Sequence, residues 1–209
     1  ATGEVMSIGM NLEESILKAV RSLEIGVSHI YMEKFDTWET DEMKEYITEG
    51  RDDRIFAIAE LLRRGVSKAE ICELTAINEY FIEMFENISI ENDLKANKND
   101  VARLRIAKQH GFSDVEIARL WGTTEQEVWK LREAVSLFPE YKMIDSCAGS
   151  KDAYVPYFYS TFDGSETKKT RDSGRRKVVV LGSGPIRIGQ GVEFDYSTVQ
   201  AVRTLRSQG

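Results

Sequence analysis

One helical unit occurs twice in this 209-residue chain, and the duplication limits the folds that the chain can adopt. Residues 65–82 and 111–128 carry matching glycine, serine, glutamate and apolar positions, always 46 residues apart. The matched pairs are Gly65/Gly111, Val66/Phe112, Ser67/Ser113, Glu70/Glu116, Ile71/Ile117, Leu74/Leu120, Glu79/Glu125 and Ile82/Val128. Ser67 and Glu70 predict a capping box at a helix start. Two copies are too few for a solenoid, which needs about three, so the pattern predicts a compact helical domain.

Two further segments carry the apolar spacing of helices. Residues 12–23 follow Asn11, whose side chain can cap a helix. Helical spacing also begins at Arg54 and continues to about Ser136. Residues 27–53 mix acidic and aromatic side chains without a clear period, so we predict a crossing segment there rather than part of the core.

The two ends of the chain suggest extended structure. Residues 5–8 between two glycines suit a short strand, and residues 177–181, with the sequence KVVVL, predict a buried strand. A glycine-rich loop and a helix from about Ser197 to Ser207 follow, which is the order that opens an α/β domain. As an unpaired apolar edge, the strand at 177–181 has three possible fates: pairing with residues 4–8, pairing with another chain, or irregular structure.

Charge and composition narrow the possible functions. The 35 acidic against 28 basic residues give a formal charge of −7, which argues against general binding to nucleic acids or anionic membranes. No apolar run approaches the roughly 20 residues of a membrane span, and no secretory signal is evident. Cys72 and Cys147 match no metal or redox spacing and indicate reduced cytosolic thiols. His29 and His110 lack nearby ligand patterns, so we predict structural roles for both.

A helix-turn-helix DNA-binding regulator is the main alternative, because each copy joins two short helices through a turn. Carboxylates nevertheless occupy the helix that would face the duplex, where they would repel phosphates. They are Glu79, Glu83 and Glu86 in the first copy and Glu125 and Glu127 in the second. A structural or protein-contact role is therefore favoured over DNA binding.

The glycine-rich loop, residues 182–191, leaves two interpretations open. Its backbone could cradle a phosphate, or its glycines could serve only a tight turn. The dinucleotide fingerprint requires glycine where Arg187 stands, Pro185 removes an N–H donor, and no Walker lysine follows. Glu193 and Asp195 could form a charge cluster with Arg187, although Asp195 could equally cap the next helix. A nucleotide-binding enzyme built on this loop is a further option, disfavoured because the remaining strands of its sheet are absent.

These segments resemble the large subunit of carbamoyl phosphate synthetase over nearly the whole chain. GSGPIRIGQGVEFDYSTVQAVRTLR closely resembles the start of the second synthetase half, and TGEVMSIGMNLEESILKAVRSLE resembles the end of the first half's ATP-grasp module. RIFAIAELLRRGVSKAEICEL, GFSDVEIARLWG and YKMIDSCAGSKDAYVPYFYSTF are similar to the oligomerisation domain, in the family's order. Only residues 27–52 are poorly marked. Because the chain lacks an initiating methionine, we expect an internal piece of a longer subunit.

The resemblance and the helical pattern together predict a mainly α fold. We expect a helical oligomerisation domain with duplicated helix-turn-helix units, a short N-terminal strand-helix, and a C-terminal strand-loop-helix that starts an α/β pre-ATP-grasp domain. The expected divisions are the end of the first ATP-grasp module at 1–26, the oligomerisation domain with connecting segments at 27–162, a linker at 163–176, and the start of the pre-ATP-grasp domain at 177–209.

The family's activity follows as an implication of the resemblance. Such ATP-dependent ligases make carbamoyl phosphate from bicarbonate, two ATP and ammonia, for arginine and pyrimidine synthesis. The implied partners are a glutaminase small subunit and other large subunits, with no nucleic acid and no membrane, in the cytoplasm. ATP and Mg or Mn bind in the full-length subunit, so no cofactor is expected on this piece, which should be catalytically inactive alone.

The resemblance also implies a role in moving carbamate between the two synthetase halves. It places Arg187, Gly191 and Glu193 along the carbamate tunnel and Glu4 on the equivalent wall of the first half. Carbamate is an anion that hydrolyses in water, so its route needs polar but enclosed walls. A small residue at Gly191 keeps the bore open, while Arg187 and Glu193 set its electrostatics. Met10 stands where the family has a basic residue, and we assign it no role. No catalytic or metal-binding residue is predicted.

Overall fold

The structure is a computed structural model that describes residues 5–88, 90–144, 157–163, 174, 177–182 and 192–208. Within these residues the chain is mainly helical, as predicted. The helices are α1 (Leu12–Ser22), α2 (Thr40–Thr48), α3 (Arg54–Arg63), α4 (Lys68–Thr75), α5 (Glu79–Ile88), α6 (Glu91–Ala96), α7 (Val101–Gln109), α8 (Asp114–Trp121), α9 (Glu125–Ala134) and α10 (Val192–Ser207). Two short strands, β1 (Glu140–Met143) and β2 (Phe158–Thr161), pair antiparallel.

The predicted duplication is confirmed at the level of helix boundaries. Helices α4 and α8 begin and end 46 residues apart, and so do α5 and α9. The turns match as well, since Gly65 and Gly111 have φ of +86° and +87°. The residues that end α4 and α8, Ala76 and Gly122, are both left-handed. Because α3 and α7 also end 46 residues apart, the repeated unit contains three helices rather than two.

The capping box predicted at Ser67 forms only in part. The Ser67 hydroxyl accepts a hydrogen bond from the Glu70 N–H at 3.3 Å. The Glu70 carboxylate, however, pairs with the amine of Lys44 at 2.7 Å, on a helix that local sequence does not place beside it. A complete capping box occurs instead at the start of α9, between Thr124 and Glu127.

One apolar core joins the two copies. Equivalent inward positions are buried in both, including Ile71 with Ile117 and Ile82 with Val128. Helix α1 packs against α5, α2 against α3 and α4, and α6 against α7 and α8. Burying a large apolar side chain contributes about 1.5–3 kcal/mol to the stability of the fold. Because the same inward positions are buried in both copies, both copies keep the same helix ends.

Residues 27–53 belong to this core, so the prediction of a crossing segment is wrong. Ile30, Phe35, Met43 and Ile47 are all buried there. A single 3-10 turn carries Phe35, and the nine-residue α2 carries Met43 and Ile47 one turn apart. The acidic residues between them face solvent, and the elements are too short for their period to stand out from the charges.

The predicted strands at the chain ends are not assigned in the part of the chain that the structure describes. Residues 5–9 and 177–182 contain no strand, and the side chains of Val179 and Leu181 are 82% and 91% exposed. The segment at 177–182 is not part of the sheet that the described residues form, and its pairing with another chain stays a prediction. The helix that follows is α10, which starts at Val192, earlier than predicted.

The hairpin of β1 and β2 lays one face on the helices. Lys142 and Thr161 on that face are buried, and Phe162 just after β2 packs against the core. Tyr141 and Phe158 point the other way and are exposed. Of the aromatic residues here, Phe162 therefore packs against the core and Phe158 does not.

Candidate functional site

The predicted tunnel residues are not among the residues that the structure describes in full. Glu4, Arg187 and Gly191 lie outside the described residues, and so does the side chain of Glu193, whose backbone forms the first turn of α10. The flanks of the glycine-rich loop are described. A side-chain atom added at Gly182 would lie 3.1 Å from the Thr198 hydroxyl, so the loop begins close against the helix that follows it.

A buried carboxylate on α1 joins three parts of the chain at one point. Glu14 accepts hydrogen bonds from the Met10 N–H at 2.7 Å and from the Thr161 hydroxyl at 3.1 Å. It also pairs with Lys18 at 3.0 Å, and the Lys18 amine donates to the Ile8 carbonyl at 3.0 Å. The segment that leads into α1 and the hairpin strand β2 are therefore both fixed to the same helix.

Gly111 lets α1 approach the second copy. A Cβ at this position would lie only 2.8 Å from the Cα of Glu14, closer than real contacts allow. The Arg21 guanidinium, also on α1, donates to the Gly111 carbonyl at 2.9 Å. The equivalent Gly65 has open space around it, so only the glycine of the second copy is required by packing.

Buried cations surround Asp114 at the base of the hairpin. The Lys108 amine donates to Asp114 at 2.9 Å and to the Phe112 carbonyl at 2.6 Å, and Arg132 pairs with Asp114 at 3.1 Å. Both cations lie over the Phe162 ring, at 4.8 and 5.2 Å from its centroid. Burial, supported by the neighbouring arginines, lowers the pKa of Lys108 to about 8. These contacts secure Phe162 against α7 and α9.

A second buried network connects the two copies through α6. Glu91, at the start of α6, accepts from His29 Nε2 at 3.0 Å and from Arg63 Nη2 on α3 at 2.8 Å. On α8, Arg119 lies 4.0 Å from the other oxygen of Glu91 and donates to Glu116 at 2.6 Å. The ring of His29 also lies 4.5 Å from that of Phe112.

The histidine and carboxylates of this network are side chains that bind metal ions elsewhere, but here arginine side chains pair with the carboxylates. The ligand atoms of His29, Glu91 and Glu116 lie within 4.8 Å of one another, and all three residues are buried. Burial raises the pKa of Glu91, but hydrogen bonds from His29 and Arg63 outweigh it and lower that pKa to about 2. Because guanidinium groups already occupy both carboxylates, a divalent cation would have to displace them. The three side chains are a structural ion network, not a metal centre.

The structural role predicted for His29 is confirmed, but its partner was not foreseen. Glu91 lies 62 residues from His29 in the sequence, too far for a local motif around His29 to include it. The acidic start of α6 and the arginines on α3 and α8 were each visible as ordinary charged positions. Only packing of the two copies shows that they meet.

The solvent-facing helices do not suit a nucleic acid. In both copies the last helix exposes carboxylates, with Glu79, Glu83 and Glu86 on α5 and Glu125 and Glu127 on α9. The alternative of a helix-turn-helix regulator therefore finds no support. In the described part of the chain, no helix combines the length and apolar character needed to cross a bilayer.

Two exposed aromatic pairs mark the surface of the duplicated domain. Tyr80 and Phe81 on α5 are 63% and 49% exposed, with ring centroids 5.5 Å apart. Trp129 on α9 and Phe138 after it are 44% and 47% exposed, with centroids 6.3 Å apart. Exposed aromatic residues of this kind are typical of protein–protein contacts.

Comparison with protein-family models gives two matches along the chain. Residues 4–136, about two thirds of the chain, match the model described as carbamoyl-phosphate synthetase large chain, oligomerisation domain. Residues 174–209 match the model described as carbamoyl phosphate synthase preATP-grasp domain. The first match contains α1 to α9 and the buried ion pairs around Glu14, Asp114 and Glu91. The hairpin residues that contact these groups, and Phe138 of the exposed aromatic pairs, lie outside it.

Proposed function

Because the chain belongs to the carbamoyl-phosphate synthetase large-chain family, we propose that it links the two synthetase halves of such an enzyme, supplying subunit association and part of the carbamate tunnel. The observation that carries the proposal is the order of the two family matches in one chain, the oligomerisation domain followed by the preATP-grasp domain. The enzyme would make carbamoyl phosphate from bicarbonate, two ATP and ammonia released from glutamine by a glutaminase subunit, in the cytoplasm.

The helical domain is suited to an association role. Its two copies share one core and are joined by the Glu91 network, so the domain can present a rigid surface. Its exposed aromatic pairs offer apolar contact area outside that core. The family description itself names oligomerisation, which supports association with other large subunits.

The tunnel role rests on Glu4, Arg187, Gly191 and Glu193 and on the chemistry of carbamate. An anion that hydrolyses in water needs an enclosed route with polar walls. The anchoring of the segment after Glu4 through Glu14 supports the idea, since a fixed backbone can hold a tunnel wall in place.

We assign ATP and its Mg or Mn ion to parts of the subunit other than the described residues. The His29, Glu91 and Glu116 group is closed by arginines and does not fit such an ion. The proposed roles of this chain are therefore to associate subunits and to enclose carbamate.

Replacing Gly191 by phenylalanine in the full-length enzyme with its glutaminase subunit tests the tunnel. We expect ATP hydrolysis to continue while carbamoyl phosphate formation falls about tenfold or more, because a blocked bore releases carbamate to water. The measurement is the ratio of ADP to carbamoyl phosphate. Gly50→Phe is the matched control, since a side chain at Gly50 meets open space. Normal coupling in Gly191→Phe would show that this residue does not line the route.

A further inference from the structure

The duplication allows each exposed aromatic residue to be compared with the residue at the same position in the other copy. At the position of Trp129 on α9, the first copy has Glu83, which is exposed. At the positions of Tyr80 and Phe81 on α5, the second copy has Gln126 and Glu127. The fold therefore accepts polar side chains at all these places. Since the shared core does not require the aromatic residues, their presence calls for another reason.

Charge distinguishes the two aromatic pairs as sites for a second copy of the chain. In a two-fold contact the same patch meets itself, so residues near the axis face their own copies. Tyr80 and Phe81 are surrounded by exposed Glu79, Glu83 and Glu86 with Lys68 as their cation, 3.2 Å from Glu79 and 3.9 Å from Glu86, so an excess of negative charge would face its own copy across such a contact. This first pair therefore does not suit self-association.

The surface around Trp129 carries both signs of charge, because exposed Glu125 lies one turn before Trp129 and exposed Lys130 and Glu133 follow it. Lys130 and Glu133 are both exposed beside Trp129, one helical turn apart on α9. A two-fold axis passing between them would place Lys130 of one copy beside Glu133 of the other. The patch of Trp129, Phe138, Lys130 and Glu133, which we call the α9 patch, is thus complementary to itself in both charge and apolar character.

The α9 patch is also held rigid before any partner binds. Arg132 is buried, pairs with Asp114 at 3.1 Å and places its guanidinium 4.8 Å from the Trp129 ring centroid. Phe138 braces the same ring in an edge-on arrangement. A side chain that is already ordered loses little entropy on binding, which favours its use as an interface anchor.

The area of the patch predicts a reversible contact. A half-exposed tryptophan and phenylalanine offer roughly 200 Å² per copy, about a quarter of the ~800 Å² that each partner buries in a standard interface. The rest would be a polar rim that includes the charges of α9. We infer that the α9 patch is the surface through which two copies of this chain associate, by a two-fold contact of α9 with α9. This inference rests on the association role proposed above and assigns it to a face.

Sedimentation velocity of the 209-residue chain over a hundredfold range of concentration tests the assignment. The wild type should form a reversible dimer, and Trp129→Glu, which introduces the residue of the first copy, should weaken it at least about 30-fold. The graft Tyr80→Gln with Phe81→Glu, taken from the second copy, should dimerise like the wild type. Circular dichroism checks that each variant is folded.

Exchanging the charges of Lys130 and Glu133 tests the two-fold contact without removing an aromatic ring. Lys130→Glu alone should weaken the dimer about tenfold, and adding Glu133→Lys should restore it. If Trp129→Glu dimerises normally, or if the Tyr80 and Phe81 graft abolishes the dimer, the assignment to the α9 patch is wrong while association itself stands. A wild-type chain that stays monomeric at every concentration would instead overturn the proposed association role, and the α9 patch with it.

Discussion

Replacing Glu91 by glutamine tests whether the buried ion network joins the two helical copies. Glu91 is 2% exposed and accepts from His29 at 3.0 Å and from Arg63 at 2.8 Å. Glutamine keeps the shape of the side chain but removes its charge. The guanidinium of Arg63 then stays buried with less compensation, which is the costly way to break such a pair.

The pKa of Glu91 sets the size of the effect. It is about 2 in the folded chain against 4.5 for an ordinary glutamate, because hydrogen bonds from His29 and Arg63 outweigh the opposing effect of burial. At 1.36 kcal/mol per pKa unit, the ionised carboxylate contributes about 3 kcal/mol at neutral pH. Since the folded pKa is the lower one, this contribution is complete above about pH 5 and is lost as the pH falls towards 2. At pH 3 less than half of this contribution remains.

Urea unfolding followed by far-UV circular dichroism at pH 7, 5 and 3 measures this contribution. Glu91→Gln should be less stable than the wild type by about 3 kcal/mol at pH 7, and the gap should narrow to less than half of that at pH 3. Glu45→Gln, at an exposed position of α2, should stay within about 0.5 kcal/mol of the wild type. A loss below about 1 kcal/mol at pH 7, or a gap that does not change with pH, would refute the reasoning.

Two further predictions use the duplication and the hairpin base. Gly111→Ala and Gly65→Ala share a left-handed φ, which costs about 1–2 kcal/mol, but a Cβ at Gly111 also meets the Cα of Glu14 at 2.8 Å. Gly111→Ala should therefore lose about 1–3 kcal/mol more than Gly65→Ala in urea unfolding, and equal losses would contradict the packing. Burial lowers the pKa of Lys108 from 10.5 to about 8, so the unfolded chain binds the extra proton between these values and stability should rise with pH from about 8 to about 10. Lys108→Met should flatten that rise, and an unchanged slope would argue against the shift.

The two copies show which parts of a duplicated unit are held constant. Their helix ends and inward residues agree, as at Ile71 and Ile117, because both contribute to one core. Their outer residues differ, as at Glu83 and Trp129, because solvent places no common demand on them. A difference such as that between Glu83 and Trp129 therefore points to a contact that one copy makes on its own.

Most of the helices, the duplication and the resemblance to the synthetase family could be recognised from the sequence. Caps such as Asn11 and apolar spacing act within a few residues, so they can be recognised without the fold. The tunnel residues also came from local motifs, and their role stays a proposal. The family comparison matches the same synthetase large chain that those motifs resemble.

The packing of the helices sets which distant charges meet and which short segments are buried. Glu91 accepts hydrogen bonds from His29 and Arg63, which are distant from it in the sequence. Glu70 pairs with Lys44 and does not complete the capping box of its own helix. These ion pairs depend on the distances between packed helices. An ion pair between distant residues produces no periodic sequence pattern from which it could be predicted. The same reason brings residues 27–53 into the core, because burial there follows from the helices that cover them and not from their own pattern.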